Sequence, residues 1–457
     1  MHQLSNNFID FYLWEYVLKF ILIRTNTTIM KTSLLFIILL SVTSLVAQQN
    51  SSEVDALVSP KRTDLVITVG GADADIVGFD NKAIQFAIDA VAKNGGTVKL
   101  NPGNFEIVAP VRMKSNVNLV GSGTETILKR AKGVQTKFIV DADYGELKLT
   151  VENPKGFEIG MKVEVTDNPQ NSCWDVSTAY ITDIQENVIY IDDYLIRDYS
   201  ATDGGTVSNA SSIIEVIKAE NVSISNLTAD GNRTENFKAD GCNSAGIIIL
   251  KSKKVVVDNV HVKDFNGEGI SWQITENVTI RNCEISGSGN TGLHPGTGSP
   301  FTVIENNEVH HNDVDGLFIC WRVYQSQVKG NKFHHNGRFG ICTGHKDTDV
   351  VFEDNHVYNN ESDGINLRGE KEANAPHRNT FIGNVIENNG TNGGGYGFSI
   401  NSPAKDLVIK NNIFRNTEKQ TQKAAIYIYA NGLDPTLENN QMEGHPKGQV
   451  VYEKESK

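Results

Sequence analysis

Residues 315–320 read DGLFIC, residues 339–344 read FGICTG and residues 363–368 read DGINLR. Each is a glycine followed by apolar residues at alternate positions. The same step recurs as AGIIIL at 245–250, EGISWQ at 268–273, TGLHPG at 291–296 and YGFSIN at 396–401. The glycines stand at 246, 269, 292, 316, 340, 364 and 397, so successive spacings are 23, 23, 24, 24, 24 and 33. A fixed period of this size marks a repeat architecture. A second marker, Asn259, Asn282, Asn307, Asn331, Asn355, Asn384, Asn412 and Asn440, precedes short strand-like steps such as Lys332-Phe333.

Within each repeat, short strand-like pieces are split by Gly, Asn and Asp turns, and no helical period lies between them. One repeat cannot bury its apolar face alone. Stacked repeats can, with coils about 4.8 Å apart. The pattern therefore predicts an all-β chain, a parallel β-helix, right-handed by the general preference of parallel crossovers. Asparagines stacked coil on coil are expected to form an internal amide ladder with a structural role.

Bulk properties narrow the functions. The chain has 457 residues, 39% hydrophobic and 21% charged, with a net charge of −13. That balance is globular and argues against a basic nucleic-acid-binding surface. The five cysteines, Cys173, Cys242, Cys283, Cys320 and Cys342, show no CxxC spacing. Unpaired thiols are expected, not a zinc site or disulfide framework.

Residues 30–47, MKTSLLFIILLSVTSLVA, read as a secretory signal peptide, too short for a comfortable membrane span. Residues 1–29 are then expected to be a gene-model extension, with a membrane anchor as the alternative. The mature protein would begin near Gln48 and be secreted or periplasmic, and no integral membrane partner is expected.

Residues 80–92, DNKAIQFAIDAVA, place Ala83, Ile84, Ala87, Ile88 and Val91 at helical spacing, with Asp80 as N-cap and Gly95-Gly96 as the stop. TVKLNPGNFEI follows as strand, turn, strand. This opening resembles that of pectin lyase-like proteins, in which an amphipathic helix caps the coil stack. The matching residues are Asp80, Ile84, Gln85, Ala87, Gly96, Thr97, Val98, Pro102, Gly103 and Phe105. The resemblance implies a β-helix domain over residues 65–445, with residues 446–457 left as a tail. Residues 140–212 break the period and are expected to be an inserted β-rich segment.

In a β-helix, equal positions of successive coils form columns. Counted from each repeat glycine, positions +1 and +3 point inward and +2 and +4 outward. The +2 column runs Ile248, Ser271, His294, Phe318, Cys342, Asn366, Ser399 and Tyr427. Gln273, His294, Trp321, Arg322, His345, Lys346, Arg368 and Glu370 then fall on one side over five coils. Four coil steps span roughly 19 Å, the reach of several sugar units. This strip is locally basic on an acidic chain, which suits an anionic polysaccharide or oligosaccharide. Arg322 and Arg368 can grip a carboxylate or sulfate. Trp321 can stack on a sugar face, and the glycines after His294 are expected to clear room for substrate.

β-Elimination at a uronic acid needs a cation for the carboxylate, a base for the C5 proton and an acid for the group leaving C4. Arg322 or Arg368 serves the first need. His294, His345 or Lys346 serves as base, and His294 is the first choice, with a pKa lowered by its surroundings. Gln273, Trp321, Arg368, Glu370 and His377 are expected to contact substrate.

LHPG at 293–296 resembles the Asp-Pro-His motif of alginate C5-epimerases of this fold, but here the histidine precedes the proline and the aspartate is missing. The resemblance implies a carbon–oxygen lyase, either chain-cleaving or a dehydratase of terminal uronates of the kind found in ulvan-degrading systems. No cofactor is expected; Ca²⁺ is left open, with Asp347 and Asp349 as candidates. A monomer is expected. One alternative is a glycoside hydrolase using two of Asp315, Asp347, Asp363 and Glu370. GHK at 344–346 resembles the Gly-His-Gly of polygalacturonases, whose other motifs are absent. The remaining alternatives are a C5-epimerase and a non-catalytic glycan-binding protein, which would tolerate His294→Ala. His310-His311 and His334-His335 recur 24 residues apart and are read as turn residues, with a metal as the alternative.

Overall fold

The computed structural model describes residues 65–168, 170–417 and 421–453. The signal-peptide and extension readings, 30–47 and 1–29, fall outside these residues. The chain winds into stacked coils with three parallel ribbons of strand. One ribbon is an 11-stranded sheet from Val111–Arg112 through Glu268–Gln273, Leu293–Gly296 and Ile341–Thr343 to Gly448–Tyr452. The other two merge into a 22-stranded sheet. Two 11-residue strands, Glu220–Asp230 and Lys253–Lys263, run through both merged ribbons. Gly448–Tyr452 pairs with Ala424–Ile428, so the expected 446–457 tail contributes a strand to the sheet.

The register explains the period. Ile270, Leu293, Leu317, Ile341, Ile365, Phe398 and Ile426 are aligned in the 11-stranded sheet, and all are buried. Ile304, Val328, Phe352, Phe381 and Ile409 form a second interior column, in which Phe352 stacks on Phe381 at 4.3 Å. Each fully buried side chain of this kind contributes about 1.5–3 kcal/mol. The repeat glycines are required by crowding: a Cβ on Gly340 would lie 2.3 Å from Val357 and 2.8 Å from the Gly364 carbonyl of the next coil.

Polar order accompanies the apolar columns. Asn307, Asn331, Asn355, Asn384, Asn412 and Asn440 bond side chain to side chain at 2.9–3.0 Å. Asn259 and Asn282 do not join this ladder. Both take left-handed corner conformations, and the ladder begins one residue later, at Cys283, whose N–H donates to Asn307. A second ladder, Asn312, Asn336, Asn360 and Asn389, ends at Gln422.

The helix Asn81–Ala92 closes the N-terminal end, burying Ile84, Ala87, Ile88 and Val91. The Asp80 carboxylate accepts from the Ala83 N–H at 2.8 Å, which satisfies one free helix-end donor. The inserted segment is a six-stranded antiparallel sheet between Gln135–Lys137 and Thr206–Ser208, with its own core around Val163, Ile181 and Val207. Cys173 and Cys242 form a disulfide that ties it to the loop before Ala245–Leu250. This corrects the expectation of five free thiols. The pair is 69 residues apart, and only the insertion brings it together.

Candidate functional site

The register aligns the outward column as read: Ile248, Ser271 and His294, and then Phe318, Cys342, Asn366, Ser399 and Tyr427. The N-terminal part of this column is roofed. Lys162 of the inserted sheet bonds Glu215 at 2.7 Å, and the Ser271 hydroxyl donates to the Gly241 carbonyl at 2.7 Å. Between the roof and the coils lies a cleft of about 520 Å³ lined by Glu164, Phe237, Asp240 and Asn290.

His294 lies under this roof, 4% exposed. Its Nδ1 is 2.5 Å from Glu268 Oε2, and its ring packs 5.3 Å from the Phe318 ring. Burial works against a charge here, but the Glu268 carboxylate outweighs it and pushes the imidazole up to about 10. The expectation of a base with a lowered pKa is therefore overturned: His294 is a buried cation with no free lone pair. Nε2 is buried without a hydrogen-bond partner. Burial also pushes the neighbouring Glu164 up to about 8 and raises Asp240.

Three further expectations change. Gln273 is 3% exposed and bonds the Ser271 hydroxyl at 3.2 Å, so it does not face substrate. It also fills the space above Gly296, where a Cβ would lie 2.6 Å from its Oε1. Gly296 therefore accommodates the protein's own neighbouring coil, whereas Gly298 does face open space, with nothing within 4 Å of where its Cβ would stand. His377 spends both nitrogens: Nε2 donates to the Glu372 carbonyl at 2.8 Å, and Nδ1 accepts the Lys405 N–H at 2.9 Å. It pins the extra loop of the 33-residue repeat instead of meeting substrate.

The strip beyond the strand ends is open. Thr297 and Gly298, then Trp321 and Arg322, take consecutive left-handed conformations, with φ of 64° at both Trp321 and Arg322. Left-handed backbone at a bulky side chain is costly and clusters at functional sites. Backbone bonds keep these turns stacked: Gly298 N–H to the Trp321 carbonyl at 2.8 Å, and Arg322 N–H to the His345 carbonyl at 2.9 Å. The side chains consequently fan outward.

Trp321, 40% exposed, lies 5.1 Å from the His345 ring. His345 Nδ1 meets Glu370 Oε2 at 3.3 Å, with 21% and 18% of the two side chains exposed. Arg322 and Lys346 follow Trp321 and His345 on the same turns, both exposed, and neither pairs with a carboxylate among the described residues. Arg368 lies flat along the floor, its Cζ 4.5 Å over Phe318, with one nitrogen donating to the Ile319 carbonyl and another 3.7 Å from Asp347.

The other candidate carboxylates are spent. Asp347 is fully buried, accepts the Val323 and Gly344 N–H groups, and has its pKa raised by that burial. Asp349 pairs with Arg378, Asp315 with Arg338, and Asp363 accepts from Ser399 and Tyr396. Among the described residues, the one group of three clustered metal-ligand side chains is Cys173, Asp240 and Cys242, whose sulfurs form the disulfide. Glu268 escaped the sequence reading, and Phe318 was read only as a member of the outward column. A signal was present: Glu268, Asp315 and Asp363 each immediately precede a repeat glycine, so buried carboxylates share one register.

Comparisons with known proteins agree with this architecture. The family described as right handed beta helix region matches residues 212–381, and that described as rhamnogalacturonase A/epimerase, pectate lyase-like, matches residues 67–239. The chain is a right-handed parallel β-helix of the pectin lyase-like fold. The A-module of mannuronan C-5 epimerase AlgE4 from Azotobacter vinelandii superposes with a TM-score of 0.55 at 18% identity, over 84% of this chain and 97% of that one. The AlgE6 A-module from the same organism gives 0.50 at 16%, over 84% and 97%. ORF18 of Geobacillus virus E2 gives 0.53 at 14%, over 82% and 61%. A comparison with curated protein sequences finds no match.

Proposed function

We propose that the protein is an enzyme of acidic polysaccharides or their oligosaccharides that removes the C5 proton of a uronic acid. One observation carries this reading: the His345–Glu370 pair packs on Trp321, and the exposed cations next along these turns, Arg322 and Lys346, pair with no carboxylate among the described residues. Glu370 accepts from Nδ1–H, which leaves Nε2 as the proton acceptor. Arg322 neutralises the uronate carboxylate and so stabilises the carbanion that forms beside it. The electron pair left at C5 forms the C4–C5 double bond, and the C4–O bond breaks. Lys346 gives its proton to the departing oxygen. If that oxygen belongs to the next sugar, the chain is cleaved; if it belongs to a terminal hydroxyl, water leaves.

Epimerisation shares the first step and differs only in reprotonation of C5 from the opposite face. It is the second reading, supported by the name of the two epimerase modules that share this fold. A hydrolase needs two free carboxylates astride the bond, and Glu370 alone of the four considered stands in the open strip. The Cys173–Cys242 disulfide supports an oxidising compartment, in keeping with export.

The test is incubation with uronic-acid polysaccharides and oligosaccharides, following the ultraviolet absorbance of the unsaturated product and new reducing ends. Absorbance with new ends supports a lyase, and absorbance without them a dehydratase. New ends without absorbance would refute elimination. Repeating the assay with EDTA decides the Ca²⁺ question.

A further inference from the structure

On the 22-stranded sheet, away from the strip, the strands Glu308–His310 and Lys332–His334 lead into consecutive histidines, His310-His311 and His334-His335. His311 and His335 are left-handed, with φ of 54° and 53°. That corner sets neighbouring imidazoles edge to face, at 86° and 87°. Nδ1 of His310 lies 2.7 Å from Nδ1 of His311, and Nδ1 of His334 lies 2.8 Å from Nδ1 of His335. The parallel register stacks one pair on the other, with ring centroids 4.9 and 5.1 Å apart. Tyr358 covers His334 from the next coil at 4.6 Å.

The far nitrogens indicate the tautomers. His310 Nε2 faces Glu284 at 3.3 Å, and His334 Nε2 faces Glu308 at 3.1 Å. A carboxylate there holds the proton on Nε2 and leaves the Nδ1 lone pair directed at the adjoining ring, as in metal-bound histidines backed by an acid. The spacing also selects a geometry. With metal–nitrogen bonds of about 2.0–2.1 Å, donors about 2.9 Å apart subtend a right angle, whereas a tetrahedral ion needs about 3.3 Å. The observed 2.7 and 2.8 Å are N–H···N hydrogen bonds in which His311 and His335 donate from Nδ1, and they lie nearer the right-angled spacing; binding an ion shifts that proton to Nε2 and leaves both Nδ1 lone pairs free. Right-angled nitrogen sites favour Cu(II) or Ni(II).

We propose that each histidine pair chelates one divalent copper or nickel ion through its two Nδ1 atoms, so that the ladder holds two ions one coil apart. His311 and His335 are exposed, so water can complete each coordination sphere. The experiment is Cu²⁺ titration of the untagged protein by calorimetry and electron paramagnetic resonance. The expected result is two ions per chain with nitrogen hyperfine structure and magnetic coupling between them. His311→Ala and His335→Ala should each remove one ion, and the double variant both, with unchanged thermal unfolding and unchanged action on uronates. Retention of both ions by the double variant would overturn the proposal. So would loss of all binding on either single substitution, which would mean one shared site.

Discussion

The asparagine ladder and the open strip use the same coil-to-coil step in opposite ways. In the ladder, Asn307, Asn331, Asn355, Asn384, Asn412 and Asn440 repeat one residue because each side chain's partner is its own copy a coil away. In the strip, one column reads Thr297, Trp321, His345 and Gly369, and the next Gly298, Arg322, Lys346 and Glu370. No residue repeats there, and two cations, Arg322 and Lys346, pair with no carboxylate among the described residues. Where identity stabilises the stack, the period is kept; where the partner is a foreign molecule, each coil contributes something different.

The comparison predicts a clean separation of stability from activity. His345→Gln should lower kcat/KM by about 10²–10⁴ with unchanged thermal unfolding, because a lost base costs that much and the ring lies on the outer strip, away from the interior columns. Asn331→Ala should do the reverse. Asn331 bonds Ile304, Asn307 and Asn355, and orphaning these buried groups should cost about 3–5 kcal/mol, read as a lower denaturant midpoint with near-normal kcat in the folded fraction. A loss of both properties in both variants would erase the distinction.

Arg322→Gln comes next, with an expected loss of about 10²–10³ in kcat, as for other groups that stabilise developing charge. Trp321→Ala should act mainly on KM, since a stacking platform holds substrate and transition state alike.

The last effect is one of pH dependence and concerns the roofed histidine. The unfolded chain sheds the His294 proton near about pH 6.5, whereas the fold holds it to about 10. Its contribution is therefore complete below about 6.5 and is lost as pH rises through about 10. Glu164, held protonated by burial to about 8, acts in the same direction. Urea midpoints should fall with alkaline pH, and His294→Gln should flatten the upper part of that fall. An unchanged slope would place His294 outside the charged pair.

Much of the fold was legible because columns are a matter of counting. The repeat glycines, the outward column and the capping helix all follow from spacing. Partners that arrive from outside the repeat were not legible. Glu268 sits beside His294 in space but 26 residues away, and the loop that closes over it at Gly241, tied to the inserted sheet by the Cys173–Cys242 disulfide, follows no period. Hence His294 read as open and basic, when it is enclosed and charged. Gln273 failed likewise, because counting reports a side chain's direction and not what already occupies the space above it. Trp321, Arg322, His345 and Glu370 were legible as neighbours, since the strip keeps the coil register beyond the roof.

The most direct measurement is proton exchange at C5. Uronic-acid oligosaccharides are incubated with the protein in deuterated water, and C5 is followed by nuclear magnetic resonance beside His345→Gln. Loss or replacement of the C5 proton with the native protein, absent in the variant, is the predicted result. Cleavage of glycosidic bonds with every C5 proton retained would contradict it.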